Sequence, residues 1–158
     1  MSNIKLKCLV LVGIPGSGKS TFCKKIIETE NFIIESSDNI RELYNLWGPE
    51  NNKEVFKLLY EKTLKDLKND CNVIYDATNI NFKDRYRFLE LIKDINCEKI
   101  AVVFNTPIEE CKRRNDNRSG YAKVPEHVID RMYNNFNQPS LDEGFDQILN
   151  VGWLELMV

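Results

Sequence analysis

Gly13-Ile14-Pro15-Gly16-Ser17-Gly18-Lys19-Ser20 fits the pattern G-x-x-x-x-G-K-S, and each fixed residue type in it has a chemical task. The glycines let the backbone curl so that successive N–H groups point inward at phosphate oxygens. The helix that opens at the end of the pattern adds partial positive charge. Lys19 reaches the β- and γ-phosphates of a nucleoside triphosphate, and the Ser20 hydroxyl is a ligand for Mg²⁺. The pattern lies between an apolar run ending at Val12 and a helix-forming stretch, the context in which it binds phosphate. These residues predict the donor half of a phosphoryl transfer.

The acceptor half needs a carboxylate to take a hydroxyl proton and a cation to hold a charged substrate. Glu35-Ser36-Ser37-Asp38-Asn39-Ile40-Arg41 offers both. Ser37 or Asp38 also suits the N-cap of a helix. Arg41 is then expected in the first turn, where the helix dipole disfavours a cation, so its position suggests an anionic partner. One helical turn puts Asp38 and Arg41 on the same side. Val73-Ile74-Tyr75-Asp76-Ala77-Thr78-Asn79 ends a strand in polar residues. Thr78 or Asn79 can cap the next helix, while Asp76 either orders Mg²⁺ through water or grips Arg41.

Lys112-Arg113-Arg114-Asn115-Asp116-Asn117-Arg118 carries four cations and one acid. The transition state of phosphoryl transfer spreads negative charge over three oxygens, so a mobile basic lid at about 112–124 fits this run. Arg114 and Arg118 share a face if the segment is helical, and Ser119-Gly120 supplies a hinge. No guanine-reading N-K-x-D occurs, which disfavours a GTPase switch. Asp76 is not followed by the glutamate with which motor ATPases polarise water. Small size and the basic segment favour a kinase.

These groups need a scaffold. Apolar runs at Lys7–Val12, Phe32–Glu35, Asn72–Tyr75, Lys99–Phe104 and Gln147–Val151 read as strands. Helical stretches lie between them: 19–30, 38–46, 54–68, a helix spaced by Phe82, Tyr86, Leu89, Ile92 and Ile95, one starting at Pro107, and 125–136. Alternation of strand and helix predicts an α/β, three-layer fold with a mostly parallel sheet of about five strands and helices on both faces. Ligands gather at the carboxyl ends of such strands, where the phosphate loop, Asp38 and Asp76 all fall.

The 158 residues suit one domain, 1–158, and the net charge of −2 argues against an extended nucleic-acid-coating surface. Cys8, Cys23, Cys71, Cys97 and Cys111 form no C-x-x-C pair. They read as reduced cytosolic thiols, with Cys8 and Cys97 in or beside buried strands and no structural metal. The first apolar run ends at Gly13, too soon for a signal peptide or a membrane span, so the expected location is cytoplasmic. His127, the one histidine, is expected at a helix start without a catalytic role. Trp153 and most aromatics read as packing residues, with Trp47 and Tyr44 nearest the acceptor edge.

Together these motifs resemble the polynucleotide 5′-hydroxyl kinases of the phage end-healing and DNA-repair types. The matching residues are 13–21, Ser37-Asp38 with Arg41, Asp76-Ala77-Thr78-Asn79, Cys111 to Asn115 through Arg118 to Val124-Pro125, and Met132-Tyr133 with 136–148. The resemblance implies a P-loop fold in which Gly13, Pro15, Gly16, Ser17, Gly18, Lys19, Ser20 and Thr21 bind ATP with Mg²⁺. Asp38 would be the general base and Arg118 the lid arginine, assisted by Arg114. Arg113 would lie near adenine, with residues 137–141 opposite. Arg41, Asp76 and Asn79 would form the acceptor side, with Asp76 also serving the metal. The D-x-D-G-T phosphatase motif joined to the kinase in well-known members is absent, which implies a kinase domain alone. The acceptor expected first is a 5′-hydroxyl of DNA or RNA. A small-molecule or tRNA-linked hydroxyl comes second, and a nucleotide-binding module without catalysis third.

Overall fold

Residues 8–12 read Cys-Leu-Val-Leu-Val, and alternate side chains of a strand leave on opposite faces. In the computed structural model, which describes residues 5–152, both faces are covered. Cys8, Val10 and Val12 enter one buried cluster, and Leu9 and Leu11 another. A strand apolar on both sides is what the centre of a parallel sheet demands.

The elements run β1 (Lys7–Val12), α1 (Lys19–Thr29), β2 (Ile33–Ser36), α2 (Ser37–Tyr44), α3 (Asn52–Lys68), β3 (Val73–Asp76), α4 (Phe82–Ile92), β4 (Glu98–Phe104), α5 (Ile108–Asp116), α6 (Glu126–Asn134) and β5 (Gln147–Val151). Strand order is β2-β3-β1-β4-β5, every pairing parallel. Cys23 of α1 packs on the face of Leu9, Leu11 and Ile74, whereas Ile40, Val55, Leu59, Phe88 and Ile92 from α2, α3 and α4 pack on the other. This is the expected three-layer architecture. Cys8 is buried within β1 and Cys97 just before β4. Trp153 lies outside the described residues.

Two local expectations shift. The buried stripe of α4 is Arg85, Phe88, Leu89 and Ile92. Phe82 and Tyr86 are half exposed and stack on each other, 6.1 Å between centroids. The helix also stops at Ile92, because a turn through Ile95 and Cys97 must deliver Glu98 to its pairing with Lys7. At the other end, a 3-10 turn at Pro49–Asn51 leads into α3 two residues earlier than the apolar spacing suggested.

The consequence for function is positional. β1, β2 and β3 are parallel neighbours, so their carboxyl ends, and the residues that follow them, share one edge.

Candidate active site

The loop after β1 is braced from three sides. Gly13 N donates to Thr78 O at 2.9 Å, Thr106 Oγ1 to Ser17 O at 2.6 Å, and Arg114 Nη1 to Gly16 O at 3.3 Å. Gly16 takes φ +82°, and a Cβ there would lie 2.5 Å from the backbone oxygen of Cys111, so only glycine fits between the loop and α5. Gly18, at φ 107°, starts α1 with no acid in the first turn. Pro15 is buried, while Ser20 and Thr21 are exposed at the helix start. Lys19 Nζ donates to Gly13 O at 2.8 Å and Ile14 O at 3.0 Å. The buried Ser17 hydroxyl has no hydrogen-bond partner among the described residues. A cradle that admits no Cβ, an orphaned hydroxyl, a lysine and an acid-free helix N-terminus fit the phosphates of a nucleotide.

The two carboxylates stand beside this cradle. Ser36 caps α2, its oxygen accepting from Asn39 N at 3.4 Å, which relieves Asp38 of that task. Asp38 is exposed in the first turn. Ser36 and Asp76 are register partners across β2 and β3. Burial raises the pKa of Asp76, Lys19 opposes this, Asp38 adds to it, and a hydrogen bond with Ser36 favours the ionised form. Burial in turn lowers the pKa of Lys19, against the pull of Asp76 and Asp38. Arg118 acts on both groups: it lowers Lys19 and lowers Asp76. Four charges therefore meet at one edge: Lys19, Asp38, Asp76 and Arg118.

Arg118 reaches this place from a closed loop. α5 ends at Asp116, and Arg118 N donates to Asn115 O at 3.0 Å in the turn that follows. Buried Asn115 ties the loop's ends: its Nδ2 donates to Val124 O at 2.6 Å and its Oδ1 accepts from Val124 N at 2.9 Å. Lys112 joins α5 to α6 through Asp130 at 2.7 Å and Glu126 at 3.4 Å. Gly120 takes φ +63° near the loop tip. There Tyr121 stacks on Trp47 of the α2–α3 connection, centroids 5.8 Å apart and planes 12° apart. The basic segment thus bridges the cleft to the α2–α3 connection. Among the described residues Arg118 makes no side-chain hydrogen bond or ion pair, and it is half-buried.

Residues 9–139 match the AAA domain family. The chain belongs to this family. It carries a P-loop, and proteins named as kinases are among those similar to it. An L-seryl-tRNA(Sec) kinase of Methanococcus maripaludis is 30% identical over 87% of this chain and 55% of its own length. A protein of Acanthamoeba polyphaga mimivirus, provisionally named a bifunctional polynucleotide phosphatase/kinase, is 32% identical over 93% of this chain and 33% of its own. A chain in the structure of the Pnkp1/Rnl/Hen1 RNA repair complex superposes with a TM-score of 0.74 at 30% identity, over 85% of this chain and 45% of that one. The chain spans about half or less of each of these proteins.

Five expectations about this AAA domain need correcting. Arg41 stands in the last turn of the short α2, where the helix dipole favours a cation. Its Nη1 donates to Leu46 O at 3.1 Å and Gly48 O at 3.4 Å, and its Nη2 to Asn52 Oδ1. It therefore organises the α2–α3 connection, and the dipole argument for a substrate anion falls. Asp76 faces Ser36 and Lys19 rather than gripping Arg41. Asn79 is buried at φ 48°, its amide donating to Leu11 O at 2.7 Å and Ala77 O at 3.4 Å, so it braces β1 instead of meeting an acceptor. Arg113 is exposed and paired with Glu110, and Asn137 is tied to Ile80 O. Arg114 and Arg118 share no helix face, since α5 ends between them. Arg114 does reach the phosphate loop, as a brace. Glu110, held by Arg113 and Arg114, has its carboxyl pKa pushed down to about 2. His127 is exposed in the first turn of α6, as its position suggested.

Sequence reasoning missed a buried ion pair. Arg85 Nε lies 2.7 Å from Glu143 Oε1, both side chains at most 5% exposed, and Arg85 Nη1 donates to Asn79 O at 2.9 Å. The partners are 58 residues apart, and no spacing rule connects them. The tie that Asn115 makes across the 115–124 loop was equally invisible. Its partner is backbone, which any residue but proline at 124 supplies.

Glu35, next to the cap, has its carboxyl pKa raised to about 7 by burial, a hydrogen bond with Asp66 and the Asp66 charge. An acid with a raised folded-state value takes up a proton on folding between its ordinary value, 4.5, and about 7. Its contribution to stability is present below 4.5 and is lost as pH rises through 7. Glu35→Gln is expected to remove this dependence. The difference in melting temperature between variant and wild type should move in the variant's favour from pH 5 to pH 8. Parallel melting curves at both pH values would show that the pair does not titrate in this range.

No cluster of three His, Cys, Asp or Glu suited to a metal occurs among the described residues, nor is any described helix long and apolar enough to cross a membrane. Ser20 at the start of α1 and Asp76 at the end of β3 each bring an oxygen donor to this edge. A hydroxyl plus a carboxylate is the sparse set that Mg²⁺ uses when substrate phosphates complete its shell.

Proposed function

We propose that this domain transfers the γ-phosphoryl group of ATP to the 5′-hydroxyl of a nucleic acid. The meeting of Asp38 and Arg118 with Lys19 and Asp76 at one sheet edge carries the reading. A domain that only bound nucleotide needs neither an exposed carboxylate nor an unpaired arginine there. Asp38 removes the proton of the acceptor hydroxyl, whose oxygen bonds to the γ-phosphorus as the bond to the β–γ bridging oxygen breaks and ADP leaves. The N–H groups of the loop and Lys19 hold the β- and γ-phosphates, and Arg118 neutralises charge on the transferring oxygens. Ser20 and Asp76 would hold Mg²⁺, which would screen the phosphate charges. Arg41 and the Trp47–Tyr121 contact position the acceptor loop against the lid.

The 5′-hydroxyl acceptor is supported by the run of motifs from 13 to 148 and by the polynucleotide kinase named among the relatives. The archaeal seryl-tRNA kinase favours a second reading, in which the acceptor is a hydroxyl carried on tRNA. Both keep Asp38 as base. The test uses γ-labelled ATP and Mg²⁺ with 5′-hydroxyl DNA, 5′-hydroxyl RNA, seryl-tRNA and small hydroxyl metabolites. Label is expected on the oligonucleotides. Label on seryl-tRNA alone would replace the first reading by the second, and no transfer to any acceptor would overturn both.

A further inference from the structure

A cavity of about 550 Å³ opens between α3 and α4 at the carboxyl end of β3. The N-terminal turns of α3 and α4 flank it, since α3 precedes and α4 follows the parallel strand. It is continuous with the site already described. Asn52 on its rim accepts from Arg41, Tyr75 in its floor precedes Asp76, and Thr78 holds Gly13 of the phosphate loop.

The lining has two components. Lys53, Lys57 and Arg87 are exposed cations, and among the described residues none of them is in an ion pair. The one acid, Asp84, is occupied by Asn81 Nδ2 at 2.9 Å. In a chain of net charge −2 this is a local excess of positive charge. Beneath it, half-buried Phe56 and Tyr60 lie 6.2 Å apart, and Tyr60 stacks toward Tyr75 at 6.4 Å. Unpaired cations above aromatic rings match the two parts of a nucleotide, phosphate and base. The volume falls within the range of about 300–1,000 Å³ that holds a small organic ligand, so one or two nucleotides enter and a duplex does not.

We propose that this cavity binds the nucleotides following the reacting 5′ end of a single-stranded acceptor, with phosphates on Lys53, Lys57 and Arg87 and a base against Phe56 or Tyr60. This rests on the 5′-hydroxyl kinase reading for the direction of the strand. An acidic peptide would use the cations and ignore the rings, so it enters the test as a competitor.

The experiment measures fluorescence anisotropy of 3′-fluorescein, 5′-hydroxyl octanucleotides of DNA and of RNA. Wild type is compared with the double variant Lys53→Ala/Lys57→Ala and, separately, with Arg87→Ala. These side chains are exposed, and melting curves check that each variant is folded. The double variant is expected to bind about tenfold more weakly. Its plot of log affinity against log salt should be shallower by about 1.4, at roughly 0.7 per phosphate contact on a single strand. In the transfer assay, the fall of KM with acceptor length seen in wild type should flatten. Wild type that binds octanucleotides through these cations yet phosphorylates none leaves the cavity assignment standing and sinks the kinase reading. Wild type that phosphorylates them while both variants match its affinity and KM overturns the cavity assignment alone. Displacement by polyaspartate as readily as by unlabelled oligonucleotide overturns it too.

Discussion

Asp38→Ala should lower kcat for phosphoryl transfer by about a hundredfold to ten-thousandfold, the usual worth of a positioned general base. That corresponds to about 3 to 5 kcal/mol of barrier. The substitution is clean for a structural reason. Ser36, not Asp38, caps α2, and Asp38 makes no side-chain hydrogen bond among the described residues, so the variant should melt within a degree or two of wild type. Nucleotide binding should survive as well, because the loop's braces come from Thr78, Thr106 and Arg114. Single-turnover transfer and titration with a fluorescent ATP analogue separate the two effects. Asp38→Asn, which keeps the shape and removes the proton acceptor, should be nearly as slow as alanine. Near-wild-type transfer by both variants would move the base to Asp76, the other carboxylate at this edge. Asp76 is the poorer candidate: it is more buried, and it already interacts with Ser36 and Lys19.

What the sequence revealed, and what it hid, follows from the range of the interactions involved. The phosphate loop and the five strands were legible because their signals are local: glycines at fixed offsets, and apolar residues on both faces of β1 and β4. The convergence of Asp38 and Asp76 was legible too, because parallel topology sends the ends of β2 and β3 to one edge. The reading failed where it depended on a helix boundary. Placing α2 a residue late made Arg41 look like a cation set against the dipole. Extending α5 past Asp116 put Arg118 on a helix face it does not occupy. It also failed where a polar residue sits in an apolar stripe. Arg85 holds a core position of α4 only because Glu143 returns from far along the chain to meet it. A pattern that counts apolar residues then selects Phe82 and Tyr86, which face outward.

That pair sets the last expectation. Glu143→Ala should destabilise the domain by about 3 to 5 kcal/mol, since it leaves the Arg85 guanidinium buried without its counter-charge. For a chain of this size the melting temperature should fall by roughly 10 °C. The loss extends beyond the pair, because Glu143 Oε2 also accepts from Ser140 N at 2.6 Å and closes the capping box of the turn before β5. Arg85→Met should cost a comparable amount from the other side, by leaving a buried carboxylate. The double variant Arg85→Met/Glu143→Leu should be more stable than either single one, because no unpaired charge remains. A fall of less than 2 °C in both single variants would mean that water reaches the pair in solution. The effect should also reach the nucleotide. Arg85 holds the backbone of Asn79, whose amide holds Leu11 O within β1 just ahead of the phosphate loop. Glu143→Ala should therefore weaken ATP binding at temperatures where the domain is still folded, although among the described residues Glu143 makes no hydrogen bond or ion pair with the phosphate loop. Glu143→Gln, which keeps the hydrogen-bonding shape without the charge, should fall between the two in both measurements.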